Sequence, residues 1–220
     1  MPINHAANAG RHAIAERGLD LYETPPEATV ALLKHEPLPQ GIWEPCCGKG
    51  AIVRVLQDAG HEVMASDIRR YNCNHGLYDF LRDDECDVEC IVTNPPYNQA
   101  DEFVRHALQR AGKVVMLLRW AFMESERRTT ILENAGLVRI LLFRKRLPMM
   151  HRAGWTGRRT TSSIPFAWFV WVRGYEGNPT VKRISWVPEV SDGPHPDRPG
   201  HRVQGIQARE HRGAERQEIP

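Results

Sequence analysis

Residues 88–92 form an apolar run that stops at Asn94-Pro95-Pro96-Tyr97, and this stop constrains the fold more than any other stretch. A short apolar run bounded this way reads as a buried strand. Proline has no N–H to give to a sheet ladder, so the strand must end there. Asn94 and Tyr97 are thereby left at the carboxyl end of a strand. In open α/β sheets that edge is where ligands bind. An amide, fixed carbonyls and an exposed ring can grip a flat base that carries an amino group. The plainer alternative is a strand closed by a proline turn, with Tyr97 as rim packing.

The flanking pattern supplies a sheet for this strand. Residues 41–45, 61–67, 113–118, 137–143 and 165–172 read as further strands, and 76–81 as a short strand or turn. Helical spacing falls between them, from 51, over 100–111 and over 123–134. An earlier helix begins near Thr24, a plausible N-cap, with Pro25 and Pro26 at the first helical positions and Glu27 at capping-box spacing. Alternating strands and helices predict an α/β fold: a Rossmann-like three-layer sandwich, with a mostly parallel sheet and an antiparallel terminal strand. The antiparallel end comes from the last two strands, which no helical pattern separates. Residues 1–20 read as a flexible N-terminal arm and 21–175 as the folded domain. Residues 176–220 read as a basic, polar tail, in which Trp186 and Val187 dock and disorder sets in from about 191.

Three acidic or glycine-rich stretches precede the proline stop. Glu44-Pro45-Cys46-Cys47-Gly48-Lys49-Gly50 is a strand end followed by a glycine turn, which lets backbone approach a ligand. It lacks the third glycine of the dinucleotide fingerprint, so a nucleoside suits it better than a dinucleotide. Asp67 ends the next strand about 20 residues later, where an acid can accept from ribose hydroxyls. Asp79-Phe80 pairs an acceptor with a ring, but for this pair by itself a turn acid and a core phenylalanine is the favoured reading. The five cysteines are odd in number and contain no CxxC pair, so neither a disulfide framework nor a zinc site is expected, and no metal. No secretory signal or membrane-length run stands out, which predicts a cytoplasmic protein with no membrane partner.

These stretches, with Tyr22-Glu23-Thr24-Pro25, occur in an order that resembles the class I S-adenosylmethionine-dependent methyltransferases acting on exocyclic amino groups. The chain is most similar to DNA adenine-N6 methyltransferases of the compact bacteriophage and prophage type, over roughly residues 20–175. The resemblance implies S-adenosylmethionine as cofactor, held by Tyr22, Thr24, Pro25, Glu44, Pro45, Cys46, Gly48, Gly50, Asp67, Ile68, Asp79, Phe80 and Asn94. It implies that Asn94 and the carbonyl of Pro95 accept hydrogen bonds from the target amino group, with Pro96 and Tyr97 completing the catalytic loop and Tyr97 stacking on a flipped base. Cys46 and Cys47 read as small packing residues of the turn rather than nucleophiles.

One stretch points to a polymeric substrate. From Leu137 to Tyr175 there is no Asp or Glu, and Arg144, Lys145, Arg146, Arg152, Trp155, Arg158 and Arg159 fall within it. A basic loop with an aromatic suits phosphate contacts and base stacking, which favours a nucleic-acid partner, and the resemblance implies that this partner is double-stranded DNA. A solvated loop is the plainer reading. The chain has no room for a separate target-recognition domain of substantial length. Methylation of RNA or of a protein glutamine stays open, as does a nucleic-acid-binding protein that keeps this fold without catalysis.

Overall fold

The apolar runs become strands that are buried on both faces, as a sheet sandwiched between helices requires. The computed structural model describes residues 23–71, 73, 75–82, 87–149 and 161–187. Tyr22, Arg152, Trp155, Arg158, Arg159, the 1–20 arm and the tail beyond 187 lie outside the described residues.

In chain order the elements are α1 (Pro26–Leu33), β1 (Gly41–Glu44), α2 (Ala51–Asp58), β2 (Glu62–Asp67), β3 (Gly76–Leu77), β4 (Val88–Thr93), α3 (Ala100–Arg110), β5 (Ala111–Arg119), α4 (Thr129–Glu133), β6 (Leu137–Phe143), β7 (Phe166–Val172) and β8 (Thr180–Ile184). The strands form one eight-stranded sheet in the order β3-β2-β1-β4-β5-β7-β6-β8. All neighbours are parallel except those of β7, which runs antiparallel to both β5 and β6. The order reverses between β1 and β4, so the carboxyl ends of these two strands flank a switch point.

Alternate residues of each central strand feed two cores. Ile91, Val114, Met116, Ile140, Phe169 and Trp171 pack with α3 and α4 on one face. Cys90, Val92, Val115, Leu117, Leu141, Trp168 and Val170 pack with α1 and α2 on the other. Glu36, just past α1, is buried between Lys113 of β5, at 2.6 Å, and Arg139 of β6. Trp168 donates from Nε1 to the carbonyl of Ala28 at 2.9 Å, tying β7 to α1.

Several local expectations are corrected. The antiparallel strand is interior rather than terminal. Six of the seven residues of β7 are buried, which only an inside position allows, whereas β8 buries Ile184 alone and suits an edge. β8 also extends the sheet past residue 175, where strands were expected to stop. Thr24 does not cap α1: Pro25 holds that position without a side-chain bond, and the Thr24 hydroxyl is taken elsewhere. The predicted helix over 123–134 is two 3-10 turns, Trp120–Glu124 and Glu126–Arg128, followed by the short α4. Arg128 explains the break. Its guanidinium reaches the carbonyl of Phe122 at 3.0 Å and Asp101 at 2.6 Å, and lies over the Phe122 ring, so that a side chain satisfies what a continuous helix would otherwise bond. No helix among the described residues is long and apolar enough to cross a membrane.

Candidate active site

The proline stop works as its chemistry dictates. β4 ends at Thr93, and Asn94-Pro95-Pro96 leads into a 3-10 turn, Tyr97–Gln99. Beside it, β1 ends at Glu44 and the chain turns through Gly48 and Gly50, both at positive φ, 51° and 80°. Glycine adopts this backbone without the penalty a Cβ brings. The turn is pinned to the end of β2: the Cys47 amide donates to the Ser66 carbonyl at 3.0 Å, and the Gly48 amide to Asp67 Oδ2 at 2.9 Å.

Both half-sites open onto one cleft of about 540 Å³. Thr24, Pro45, Cys46, Gly48, Asp67, Ile68, Asp79, Phe80, Asn94, Pro95, Pro96 and Tyr97 line it. Its size is typical of a small-molecule site. Of the cofactor residues expected from sequence, Pro25, Glu44 and Gly50 are not in the lining. Gly50 starts α2, and Glu44 lies fully buried behind the wall.

The side chains in the cleft are held by specific bonds. Asn94 donates from Nδ2 to Thr24 Oγ1 at 3.0 Å, which fixes the orientation of its amide; its Oδ1 is shielded from solvent. Asp67 also accepts from the Arg69 amide at 3.1 Å. A carboxylate has about four acceptor positions, so two backbone donors leave it able to accept more. Asp79 accepts from the Leu81 amide at 3.2 Å and faces Arg82 at 3.4 Å. Phe80 is largely core: it stacks on Phe103 with centroids 5.2 Å apart and meets Trp43 edge-on. Tyr97 sits beneath the Arg119 guanidinium, 4.5 Å from the ring centroid, and 5.5 Å from the Phe166 ring.

Glu44 carries the clearest electrostatic anomaly. Burial raises its pKa from 4.5 to about 8, with the Thr93 hydroxyl and the Cys46 amide pulling it partly back and Asp67 pushing it further up. Thr93 donates to Oε1 at 2.5 Å, and Oε2 has no hydrogen-bond partner among the described residues. Burial likewise pushes the Cys46 thiol up, with Glu44 and Asp67 adding to it, so neither the thiol nor the acid is poised as a nucleophile.

The basic stretch leaves and rejoins the sheet at the same edge. Phe143 ends β6, Phe166 starts β7 opposite Arg119, and Arg144, Lys145 and Arg146 are exposed between them. Contributors that escaped the sequence reading include Thr93, Arg119 and Tyr71, the last of which lines the cleft. Arg119 was findable, since it too is a polar residue ending a buried apolar strand at the carboxyl edge.

No protein-family model matches the sequence, and no curated protein matches it. Solved structures do match. A provisionally assigned RNA methyltransferase from Pyrococcus horikoshii aligns with TM-score 0.51 and 14% identity, over 70% of this chain and 87% of that one. A modification subunit of a provisionally assigned type I restriction enzyme from Vibrio vulnificus aligns with TM-score 0.54 and 13% identity, over 80% of this chain and 49% of the subunit. The fold is a methyltransferase fold. The chain spans about half the length of the Vibrio subunit. On this methyltransferase fold, the described cleft sits where β1 and β4 part.

Proposed function

We propose that the chain transfers a methyl group from S-adenosylmethionine to the N6 amino group of adenine in DNA, with the target base flipped out of the duplex. One observation carries this reading: the glycine turn with Asp67 and the Asn94-Pro95-Pro96-Tyr97 loop share a single cleft. A donor held by the first lies beside an acceptor held by the second.

The bound cofactor would supply an electrophilic methyl group on a sulfonium, its S–CH3 bond giving way to the new N–CH3 bond with a neutral thioether as leaving group and the surplus amino proton passing to solvent. The protein's part is to bind and orient. Asp67 accepts from ribose hydroxyls, and Asp79 from the adenine amino group of the cofactor. On the acceptor side, the target amino nitrogen is a poor nucleophile because its lone pair is delocalised into the ring. Asn94 Oδ1 and the Pro95 carbonyl accept its two hydrogens and favour a pyramidal nitrogen with a localised lone pair. Asn94 Oδ1 is shielded from solvent, so the proposal includes a local opening of the cleft wall as the base arrives. Tyr97 stacks on the base, an interaction worth about 1–3 kcal/mol. The exposed Arg144, Lys145 and Arg146 contact phosphates at the same edge.

The test gives the purified protein labelled S-adenosylmethionine with DNA, RNA and protein, then digests and identifies the labelled product. Label in N6-methyladenine from DNA supports the proposal; label in cytosine, guanine, RNA or glutamine rejects the substrate. Calorimetry that shows no cofactor binding rejects the enzyme and leaves the non-catalytic alternative. Asn94→Ala is expected to abolish turnover with cofactor affinity nearly intact, and equal loss of both would misplace Asn94.

A further inference from the structure

We propose that Cys47, Cys73 and His75 form a binding site for a thiophilic divalent metal ion of the zinc class, beside the glycine turn and independent of the methyl-transfer reading. The spacing in the sequence gives no zinc motif, because the ligands come from two loops. The fold brings them together: the Cys47 sulfur, the Cys73 sulfur and a His75 ring nitrogen all lie within 4.8 Å of one another. A tetrahedral centre with metal–sulfur bonds of about 2.3 Å and metal–nitrogen bonds of about 2.0 Å needs ligand atoms about 3.5–4 Å apart. Small side-chain rotations therefore close the site.

Both loops are fixed by bonds of their own. Cys47 is anchored through its amide to Ser66, and the Cys73 thiol donates to the Gly48 carbonyl at 3.1 Å. The imidazole carries the second, independent signal. His75 Nε2 lies 2.8 Å from the Arg69 carbonyl, while Nδ1 lies 3.1 Å from the Cys73 sulfur and 2.9 Å from the Cys73 carbonyl. With its proton on Nε2, the ring donates to Arg69, the outer-shell bond that metal-ligating histidines characteristically make. That tautomer turns the Nδ1 lone pair toward the sulfur and against a carbonyl lone pair. A cation between them relieves this repulsion. A doubly protonated ring bonding both carbonyls is the rival, and it would bind no metal.

The surroundings select the ion. Two cysteine sulfurs and an imidazole form a soft donor set, which suits a metal with strong affinity for sulfur rather than magnesium or calcium. Cys73 and His75 are half-buried, which leaves an access route, and three protein ligands leave a fourth position for water or another small ligand. An ion there would clip the Tyr71 to His75 segment, whose rings lie 6.1 Å apart, onto the glycine turn at the cleft rim.

The test loads chelator-treated, reduced full-length protein with cobalt(II) as a spectroscopic probe, then displaces it with zinc against a chromophoric competitor. The expected result is one ion per chain, with thiolate-to-cobalt charge-transfer and tetrahedral d–d bands. Cys73→Ser and His75→Ala, both in a surface loop, should each weaken zinc binding by at least about 100-fold with the circular dichroism unchanged. Cys90→Ser, in the buried sheet, should bind as the parent does. Absence of sulfur-ligated cobalt bands, or undiminished affinity in the Cys73 variant, would overturn the proposal.

Discussion

Replacing Glu44 by Gln isolates the most unusual charge in the protein. Glu44 is fully buried, and its pKa rises from 4.5 to about 8. The folded state therefore holds the proton more tightly than the unfolded chain does. Stability contributed by this group is complete below about pH 4.5, falls as pH rises toward about 8, and is level above that. At about 1.36 kcal/mol per pH unit, the full span is about 5 kcal/mol, comparable with the whole stability of many domains. Glutamine keeps the acceptor for the Thr93 hydroxyl and, like the protonated acid, places a hydrogen-bearing group at the partnerless Oε2 position. The parent and Glu44→Gln should thus be equally stable, within about 1 kcal/mol, at about pH 5. At about pH 9 the variant should be the more stable by several kcal/mol. Urea unfolding of both proteins across this range measures the difference directly, and other titrating groups largely cancel in it. Parallel stability curves for the two proteins would refute the reasoning, because they would mean that Glu44 titrates alike folded and unfolded.

Thr24→Val keeps the shape but removes the acceptor for Asn94 Nδ2, a bond worth about 0.5–1.5 kcal/mol, so turnover in the methyl-transfer assay should fall about 2–10-fold; unchanged turnover would show that the bond does not orient Asn94. Gly136→Ala should cost at least about 2 kcal/mol, read as a drop of about 4–8 °C in Tm. Its φ is 78°, and the new Cβ would lie 2.3 Å from the Val172 carbonyl oxygen; a smaller loss would mean that β7 gives way. Replacing Arg144, Lys145 and Arg146 together by Ala should weaken binding to any duplex and reduce the slope of log affinity against log salt by up to about 3. An unaltered slope would remove this loop from the interface.

The sheet was legible because strands covered on both faces must carry long apolar runs, as residues 114–118 of β5 and all of β7 do. The proline stop after β4 was legible because proline's missing donor ends a ladder in any context. What escaped depended on partners far away in sequence. Thr24 has every local mark of a cap, yet Asn94, 70 residues on, takes its hydroxyl. β8 carries one buried residue in five, too faint a pattern for periodicity to detect. The 123–134 segment has helical spacing, but Arg128 satisfies the carbonyls of Ala121 and Phe122 from its side chain. The Cys47, Cys73 and His75 cluster has no spacing rule at all, since two separate loops build it.

The ties on α1 set an order of events during synthesis. Its Ala28 carbonyl waits for the indole of Trp168, 140 residues later, and Glu36 waits for Lys113 and Arg139, 77 and 103 residues later. A helix of eight residues is marginal by itself in water. The α1 segment, which precedes every described strand, therefore gains these ties only after the central strands are made. Thr24, at its head, joins Asn94 across 70 residues, so one wall of the cleft depends on a contact of high sequence separation, the kind that is slow to form.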